Sequence, residues 1–496
     1  MTNEKSKMEN NKFLVSNDKT GYHSLLTTDY LPLATHHSPL PTYPLLFALY
    51  FLLISACTPP DIYIRLNWQI AQGNYIQAIE QIKANKNRFY PKKNALLYHL
   101  DLGLLNHLAG NYKESNQHFE KAKRLADEFY TKSITKEAST FLINDTMRPY
   151  YGEDFEIALI YFFKALNYTL LGDEEGALVE ARQMNYFFQE LETRYGTKNV
   201  YKGDPAIRYI MGLIYENAGE LNSALIEYKN AIRLYKKNAP RELLESAYML
   251  AKRLGFSDDI QWFRKLGAKG KKRKKSEIII LHLNGPAPKK INHFIEFSFG
   301  EGWAYVESVK VSGKERSDIE EARAAARAIS AKETFRVAFP QYIQPKFSCA
   351  GAEIEVSGTD VQAKTKTISD VSRIAIKNLS DRIARTRAKA IARAWIKYAL
   401  AKKAEKKVAK KRGLASGWLA GATLRAIGAA TETADLRCWG TLPARIDLAR
   451  IPVKPGEYHL RLYFKDAYGK IISQKVINDI KVKKNKKTFI IVRTLF

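Results

Sequence analysis

Between residues 61 and 235 the chain repeats a pattern of two helices joined by a glycine turn, and this pattern limits the fold more than any other feature. In the clearest copy, Gly212 and Tyr215 fall on a first helix, Gly219 marks the turn, and Tyr228 lies on a second helix. Small residues recur where paired helices must touch, and larger rings recur where one pair meets the next. An ordinary helical bundle would not keep glycine and alanine in this register. The sequence therefore predicts stacked helix pairs.

Three further copies have the same register, and their turn glycines are Gly73, Gly110 and Gly172. The arrangement resembles the tetratricopeptide repeat, whose first helices line a concave groove that usually holds a peptide or a partner segment. By register, the groove candidates are Leu100, Leu104, His107, Phe162, Leu166, Thr169, Tyr209, Leu213 and Glu216. For each of them, packing in the core is the alternative to partner binding.

An apolar run at residues 45–53 is followed by Ser55, Ala56 and Cys57. This is how a bacterial lipoprotein signal ends: the small residues precede the cut, and the cysteine thiol takes the diacylglycerol. The run is too short to span a bilayer as a permanent helix. The sequence therefore predicts a signal peptide at residues 1–56, lipidation of Cys57, and an outer-membrane protein that faces the periplasm. A buried N-terminal helix with an incidental cysteine is the alternative. No Lys or Arg lies between Lys19 and the run, which indicates either an over-long gene start or a weak positive region.

The chain carries 80 Lys and Arg against 51 Asp and Glu, a formal charge of +29, so it attracts polyanions. In the envelope these are anionic lipid, lipopolysaccharide and wall polymers, whereas in the cytoplasm they are nucleic acids. Six of these cations lie among the seven residues 269–275, which predicts an exposed linker at residues 268–276.

After the linker the pattern changes to that of strands. Apolar and polar residues alternate at 303–311 and 352–356, and residues 278–283 form a continuous apolar run. An alanine-rich helix is expected at residues 319–331. The sequence predicts a β-rich domain at residues 277–380 and a C-terminal β segment at residues 431–496, where the pattern is typical of the edge of a small sandwich.

Residues 381–430 separate these two β regions. Apolar residues recur at helical spacing up to residue 412, while Arg382, Arg385, Arg393 and Lys397 occupy other faces. These cations are predicted to attach to a membrane surface or an acidic partner, and a solvated helix is the alternative. Residues 413–430 are nearly apolar, with glycines at intervals of four, and favour a buried helix packed against the β domain over a membrane-inserted one.

The predicted fold class is α+β multidomain. An all-α domain of tetratricopeptide-like helical repeats occupies residues 57–267, and a β-rich domain with a long basic helix follows the linker.

Several short motifs resemble, in the same order, those of an uncharacterised family of Gram-negative lipoproteins with tetratricopeptide repeats. They are Tyr151-Gly152-Glu153-Asp154, Gly172-Asp173 with Gly176-Ala177-Leu178-Val179-Glu180-Ala181-Arg182, Asn284-Gly285-Pro286-Ala287-Pro288, Ala434-Asp435 and Thr441-Leu442-Pro443-Ala444-Arg445-Ile446. The resemblance covers nearly all of the mature chain. It implies an envelope scaffold working beside lipoprotein activators of peptidoglycan synthesis, and it brings no established activity.

No motif of hydrolytic, nucleotide-binding or zinc-dependent catalysis is present in the sequence, so no catalytic residue, metal site or cofactor is predicted. Glu153 and Asp154 are adjacent carboxylates, and helix capping is the expected role of such a pair. Cys349 and Cys438 are left after lipidation, and a disulfide between them and two unpaired thiols are both open.

These observations predict a non-enzymatic, lipid-anchored envelope scaffold whose repeat groove binds an envelope protein or peptide, in cell-wall or outer-membrane assembly. A cytoplasmic nucleic-acid-binding repeat protein is the alternative.

Overall fold

The computed structural model describes residues 62–136, 145–195, 203–270, 276–308, 334–431 and 433–496. The predicted signal peptide, Cys57, residues 271–275 of the predicted linker and the predicted helix at 319–331 lie outside these ranges.

Helix pairs make up the described N-terminal half of the chain. Their bounds are Ile62–Ala71 (α1) with Tyr75–Ala84 (α2), the short Lys86–Phe89 (α3), Ala95–Leu108 (α4) with Tyr112–Lys136 (α5), Asp154–Leu171 (α6) with Glu174–Tyr195 (α7), Pro205–Ala218 (α8) with Leu221–Tyr235 (α9), and Arg241–Leu254 (α10) with Ser257–Lys265 (α11). The predicted helical repeats are confirmed, and the pair α10–α11 adds a fifth copy that the sequence pattern did not reveal.

Close packing within a pair depends on the small residues of the repeat. A Cβ atom on Gly212 of α8 would lie 2.4 Å from the ring of Tyr228 on α9. Gly219 ends α8 in the left-handed conformation at φ 90°, which reverses the chain into α9. The predicted roles of these two glycines are confirmed.

In the described residues from 276 onwards there are ten strands. Their bounds are Glu277–Pro286 (β1), Lys289–Ser298 (β2), Thr334–Ile343 (β3), Gly351–Val356 (β4), Gln362–Lys364 (β5), Lys366–Asp370 (β6), Pro443–Pro452 (β7), Gly456–Lys465 (β8), Ile471–Val482 (β9) and Lys487–Thr494 (β10). The central sheet has the order β10-β1-β7-β6, and the outer sheet has the order β5-β4-β8-β9. Strands β1 and β10 run parallel, whereas β7 pairs antiparallel with both β1 and β6. A separate ribbon pairs β2 with β3.

The continuous apolar run of β1 is explained by its position between two layers. Ile279, Leu281 and Leu283 belong to the hydrophobic cluster of the helix pairs, while Ile278 and Ile280 belong to a cluster shared with the outer sheet. Successive strand residues point to opposite faces, so a strand covered on both faces is apolar throughout. The described part of the chain is therefore layered as helical repeats, central sheet and outer sheet. The mixed α and β composition is confirmed, and the boundaries of the predicted domains stay a prediction.

A third cluster forms around the long helix Val371–Arg412 (α13). Trp395 is buried there against Phe299 and Trp303 of the helix Phe299–Ser308 (α12), with the ribbon β2–β3 beside them. The strand expected at residues 303–311 is wrong for residues 303–308, because the rings of Phe299 and Trp303, four residues apart, both pack on Trp395 from one face of a helix.

The glycine-rich segment forms the helix Leu414–Thr431 (α14), which folds back on α13 as a helical hairpin. A Cβ atom on Gly417 would lie 2.8 Å from the Cα of Ala409, so the glycines allow close contact between these two helices. The segment was expected to be buried on the β domain, and this is wrong: Leu414, Trp418 and Leu419 are exposed. Within the described residues, no helix has the length and apolar character that crossing a membrane requires.

Candidate functional site

The predicted groove candidates lie where the first helices of the pairs meet the central sheet. Helix α4 contacts β10, helix α8 contacts β6, and apolar residues of helices and sheet share one cluster. The candidates Leu100, Leu104, His107, Phe162, Leu166, Tyr209 and Leu213 are buried, and Thr169 and Glu216 are half-buried. An apolar sheet face must be covered, and here the concave face of the repeats covers it. The expectation of an open groove is therefore corrected at α4 and α8, which pack against the central sheet, while α6 contacts Trp439 in the segment before β7.

A tryptophan near the C-terminal end of the sequence anchors this contact. Trp439 is 1% exposed, and its ring centroid lies 5.9 Å from that of Phe119 and 6.1 Å from that of Phe163. Its indole Nε1 donates a hydrogen bond to Thr441 Oγ1 at 2.9 Å. Large aromatic side chains with a satisfied polar group contribute strongly to buried contacts.

A buried carboxylate continues the same contact. Thr441 Oγ1 donates to Asp101 Oδ1 at 2.8 Å, and the hydroxyls of Tyr63 and Tyr90 both donate to Oδ2 at 2.8 Å. Burial raises the pKa of Asp101 to about 6, against the lowering effect of these hydrogen bonds. The carboxylate thus joins the first two helix pairs to the segment that precedes β7.

His107, one of the groove candidates, is buried inside the repeats. Its Nδ1 lies 2.6 Å from Asn167 Oδ1, and Asn167 in turn donates to Ser115 Oγ. Burial lowers the pKa of His107 to about 4, so the ring is neutral at physiological pH. Its geometry is that of a packing residue.

Two cations of the sheet bind the repeats at α8 and α10. Arg450 of β7 lies 2.5 Å from Glu277 of β1 and donates to Tyr209 Oη at 3.1 Å and to Ser246 Oγ at 2.8 Å. Lys487 of β10 lies 3.0 Å from Glu216 and 3.7 Å from Glu277. The groove candidates Tyr209 and Glu216 thus do bind a partner segment, but that segment belongs to the same chain.

Two carboxylates meet at the start of α6, inside the motif Tyr151-Gly152-Glu153-Asp154. Glu153 is the N-cap and forms a capping box with Glu156, which confirms the predicted capping role for Glu153. Glu153 also binds Lys290 Nζ at 2.8 Å and pairs with Arg382 of α13. Burial opposes its ionisation, but the charges of Arg382 and Lys290 outweigh burial and hold the pKa of Glu153 well below its usual range.

Glu156 has the opposite shift. Burial, together with the negative charge of Glu153, raises the pKa of Glu156 to about 7. Its carboxylate accepts hydrogen bonds from Tyr150 Oη at 2.6 Å, from the backbone N–H of Glu153 at 3.0 Å and from the backbone N–H of Trp439 at 2.8 Å.

Carboxylates with divergent pKa values are typical of general acid–base pairs. Here, however, every carboxylate oxygen of Glu153 and Glu156 accepts a hydrogen bond from the chain itself. The pair connects α6 to β2, to α13 and to the segment before β7. This geometry favours a structural role, in which the motif at the start of α6 contacts Lys290, just after the motif at 284–288, and Trp439, between the motifs at 434–435 and 441–446.

Glu156 gives the protein a pH dependence that can be measured. Its folded-state pKa lies above the ordinary carboxyl value of about 4.3, so its contribution to stability is present below that value and is lost as the pH rises through about 7. The variant Glu156→Gln should have a flatter profile of unfolding free energy from pH 5 to pH 8 than the wild type, as urea unfolding at each pH would reveal. The exposed Glu175→Gln variant is the control and should follow the wild-type profile. Parallel profiles for the wild type and Glu156→Gln would contradict the shift.

The four cations predicted to form a membrane surface on α13 do not share one exposed face. Arg382 pairs with Glu153, and Arg393 is only 6% exposed. Arg385 is exposed and Lys397 is half-buried. The apolar residues of α13, among them Ile391 and Trp395, pack against the protein. Arg382 and Arg393 also face the protein rather than the solvent.

Cys349 and Cys438 are both buried free thiols, so the structure takes the unpaired alternative. Burial raises the pKa of Cys438 to about 12, which keeps it as a neutral thiol. In the described ranges no group of three or more His, Cys, Asp or Glu side chains is arranged to hold a metal ion.

Most of the residues that join the helical repeats to the β region are not evident from the sequence. Trp439 lies between the motifs at 434–435 and 441–446, and its position next to both motifs could have indicated a structural role. Asp101 is a carboxylate inside an apolar helix, which is a local conflict that points to buried partners. Arg450 and Lys290 lie in ordinary strand patterns and carry no such signal.

Comparisons with known proteins add little to this geometry. No protein-family model matches the chain. No curated protein matches it. Among solved structures, the chain is similar to a Rap conjugation gene regulator of the plasmid pLS20 in complex with a peptide, at 12% identity and a TM-score of 0.25, over 81% of this chain and 82% of that one.

Proposed function

We propose that the protein is a non-enzymatic scaffold of the bacterial envelope, held at the outer membrane by a lipid on Cys57 and facing the periplasm. The observation that carries the proposal is the buried contact between the repeats and the central sheet, which occupies part of the predicted groove. Trp439, Asp101 and Arg450 join the repeats to the sheet through buried contacts. A rigid arrangement of repeats and sheet is better suited to binding a partner on its outer surface than to converting a substrate.

The partner surface in this proposal is the outer side of the repeats, on the second helices of the pairs. Tyr186 of α7 is 65% exposed, Val179 lies seven residues before it on the same helix and is 42% exposed, and Ile226 of α9 is 49% exposed. A hydrogen bond of 2.7 Å from Asn185 to Glu227 links these two helices. Exposed apolar side chains on adjacent helices are typical of protein interaction sites. The partner is an envelope protein, and cell-wall or outer-membrane assembly is the process.

Site-specific photo-crosslinking in cells tests this proposal. A photoreactive phenylalanine analogue at Tyr186 should give an adduct with an envelope protein, because the side chain is open to a partner. The same analogue at Tyr468, which is 96% exposed at the β8–β9 turn, is the matched control and should give none. The variant Cys57→Ala should move the protein out of the membrane fraction, abolish palmitate labelling and reduce the Tyr186 adduct at least tenfold.

The two parts of the proposal fail separately. Unchanged fractionation and palmitate labelling of Cys57→Ala would overturn the anchor. Adducts at both positions, or at neither, would overturn the partner surface while leaving the anchor in place.

A further inference from the structure

The end of the α13–α14 hairpin exposes large apolar side chains. Leu414 is 85% exposed, Trp418 is 63% exposed and Leu419 is 61% exposed, all within the first six residues of α14. On α13, Trp395 and Ile391 are buried, whereas Leu400 is 53% exposed and Ile376 is 42% exposed. The tip therefore places three exposed large apolar side chains within six residues.

The geometry of the hairpin holds these side chains outward. Gly413 joins the helices at φ 88°, and Gly417 lies against Ala409 so closely that a Cβ atom would be 2.5 Å from the Ala409 Cβ. The glycine face of α14 is thus occupied by α13. At about 1.5 Å per residue, the end of α13 at Arg412 lies about 26 Å along the helix from Trp395, where the cluster around β2 and β3 fixes it.

Cations surround the same tip. The last ten residues of α13 include six exposed basic side chains, namely Lys403, Lys406, Lys407, Lys410, Lys411 and Arg412. Glu405 is the single acidic residue of this stretch. The tip is therefore strongly positive as well as apolar.

We propose that the hairpin tip docks on the surface of an anionic lipid bilayer. Lys410, Lys411 and Arg412 would lie at the phosphate groups, while Leu414, Trp418 and Leu419 would enter the boundary between headgroups and acyl chains. Long basic side chains and tryptophan favour this interface because each has an apolar body and a polar end. A nucleic acid would meet the cations equally well, but it would leave the two leucines in water. The apolar side chains therefore select the bilayer.

This surface is separate from the Cys57 anchor, and the experiment keeps them apart. The full chain carrying Cys57→Ser, which takes no lipid, is floated with vesicles that contain about 30 mol% phosphatidylglycerol in phosphatidylcholine, or phosphatidylcholine alone. Binding is expected to the anionic vesicles and to weaken as salt rises above about 0.1 M.

Two sets of tip variants test the two contributions. Lys407→Gln, Lys410→Gln and Lys411→Gln together should weaken binding roughly 100-fold, since each cation near an anionic surface contributes about fivefold. Leu414→Ser, Trp418→Ser and Leu419→Ser together should weaken it roughly tenfold or more through lost apolar burial. In addition, brominated lipid should quench the fluorescence of Trp418, measured as the difference from Trp418→Phe.

Controls with the same chemistry come from the outer sheet. Lys475→Gln, Lys483→Gln and Lys484→Gln remove three exposed cations, and Tyr468→Ser removes an exposed ring. Both should bind vesicles as the wild type does. Equal binding to neutral and anionic vesicles, no binding at all, or tip variants that bind normally would each overturn the proposal. Preference for a DNA duplex over vesicles at equal phosphate concentration would assign the surface to nucleic acid instead.

Discussion

The variant Trp439→Ala is expected to lower the free energy of unfolding by about 3–5 kcal/mol, the usual cost of removing a buried large aromatic side chain. The ring lies between helices α5 and α6 at Phe119 and Phe163, and its indole N–H orients Thr441 towards Asp101. Truncation would leave a cavity where the repeats contact the sheet. It would also remove the hydrogen bond that orients the Thr441 hydroxyl towards the buried carboxylate of Asp101. Urea unfolding followed by circular dichroism measures the loss.

The chain supplies a matched control for this substitution. Trp418→Ala removes the same side chain from a site that is 63% exposed and should change the free energy of unfolding by no more than about 0.5 kcal/mol. Trp439→Phe keeps most of the ring but loses the hydrogen bond to Thr441, so its cost should lie between those of the two alanine variants. If Trp439→Ala costs no more than Trp418→Ala, the residue does not hold the sheet to the repeats.

The helix pairs could be predicted because their determinants are local. Gly212 and Gly219 lie within one pair, and the contact between Gly212 and Tyr228 spans only 16 residues (228 − 212). The fifth pair, α10–α11, is harder to find in the sequence because its second helix has only nine residues, although Gly255 ends α10 in the same left-handed conformation as the other turn glycines.

What fills the concave face could not be predicted in the same way. Strand β1 pairs with β10, whose partner residues lie 210 positions further along, as for Glu277 and Lys487. Periodicity describes one element at a time and contains no information on which distant strand covers it. The groove candidates lie on the first helices of their pairs, but whether a second protein or the chain's own sheet lies there depends on these long-range pairings.

Arg450 is the second residue whose loss should have a large effect. The variant Arg450→Met is expected to lower the free energy of unfolding by about 3–5 kcal/mol, because it leaves Glu277 as a buried charge without its closest partner. Lys487, at 3.7 Å from the same carboxylate, is already engaged by Glu216 and compensates only in part. Urea unfolding of the full chain measures the effect, and the exposed pair Lys481–Glu457 provides the control: Lys481→Met should cost less than about 1 kcal/mol.

A double-mutant cycle separates the ion pair from simple packing. Adding Glu277→Gln to Arg450→Met removes the uncompensated charge, so the double variant should be less destabilised than the sum of the two single variants by about 0.5–3 kcal/mol. Additive effects would mean that Arg450 acts through its contacts with Tyr209 and Ser246 rather than through Glu277. Both outcomes agree with a role for Arg450 in holding the sheet to α8 and α10. If Arg450→Met were as stable as the wild type, this role would be contradicted.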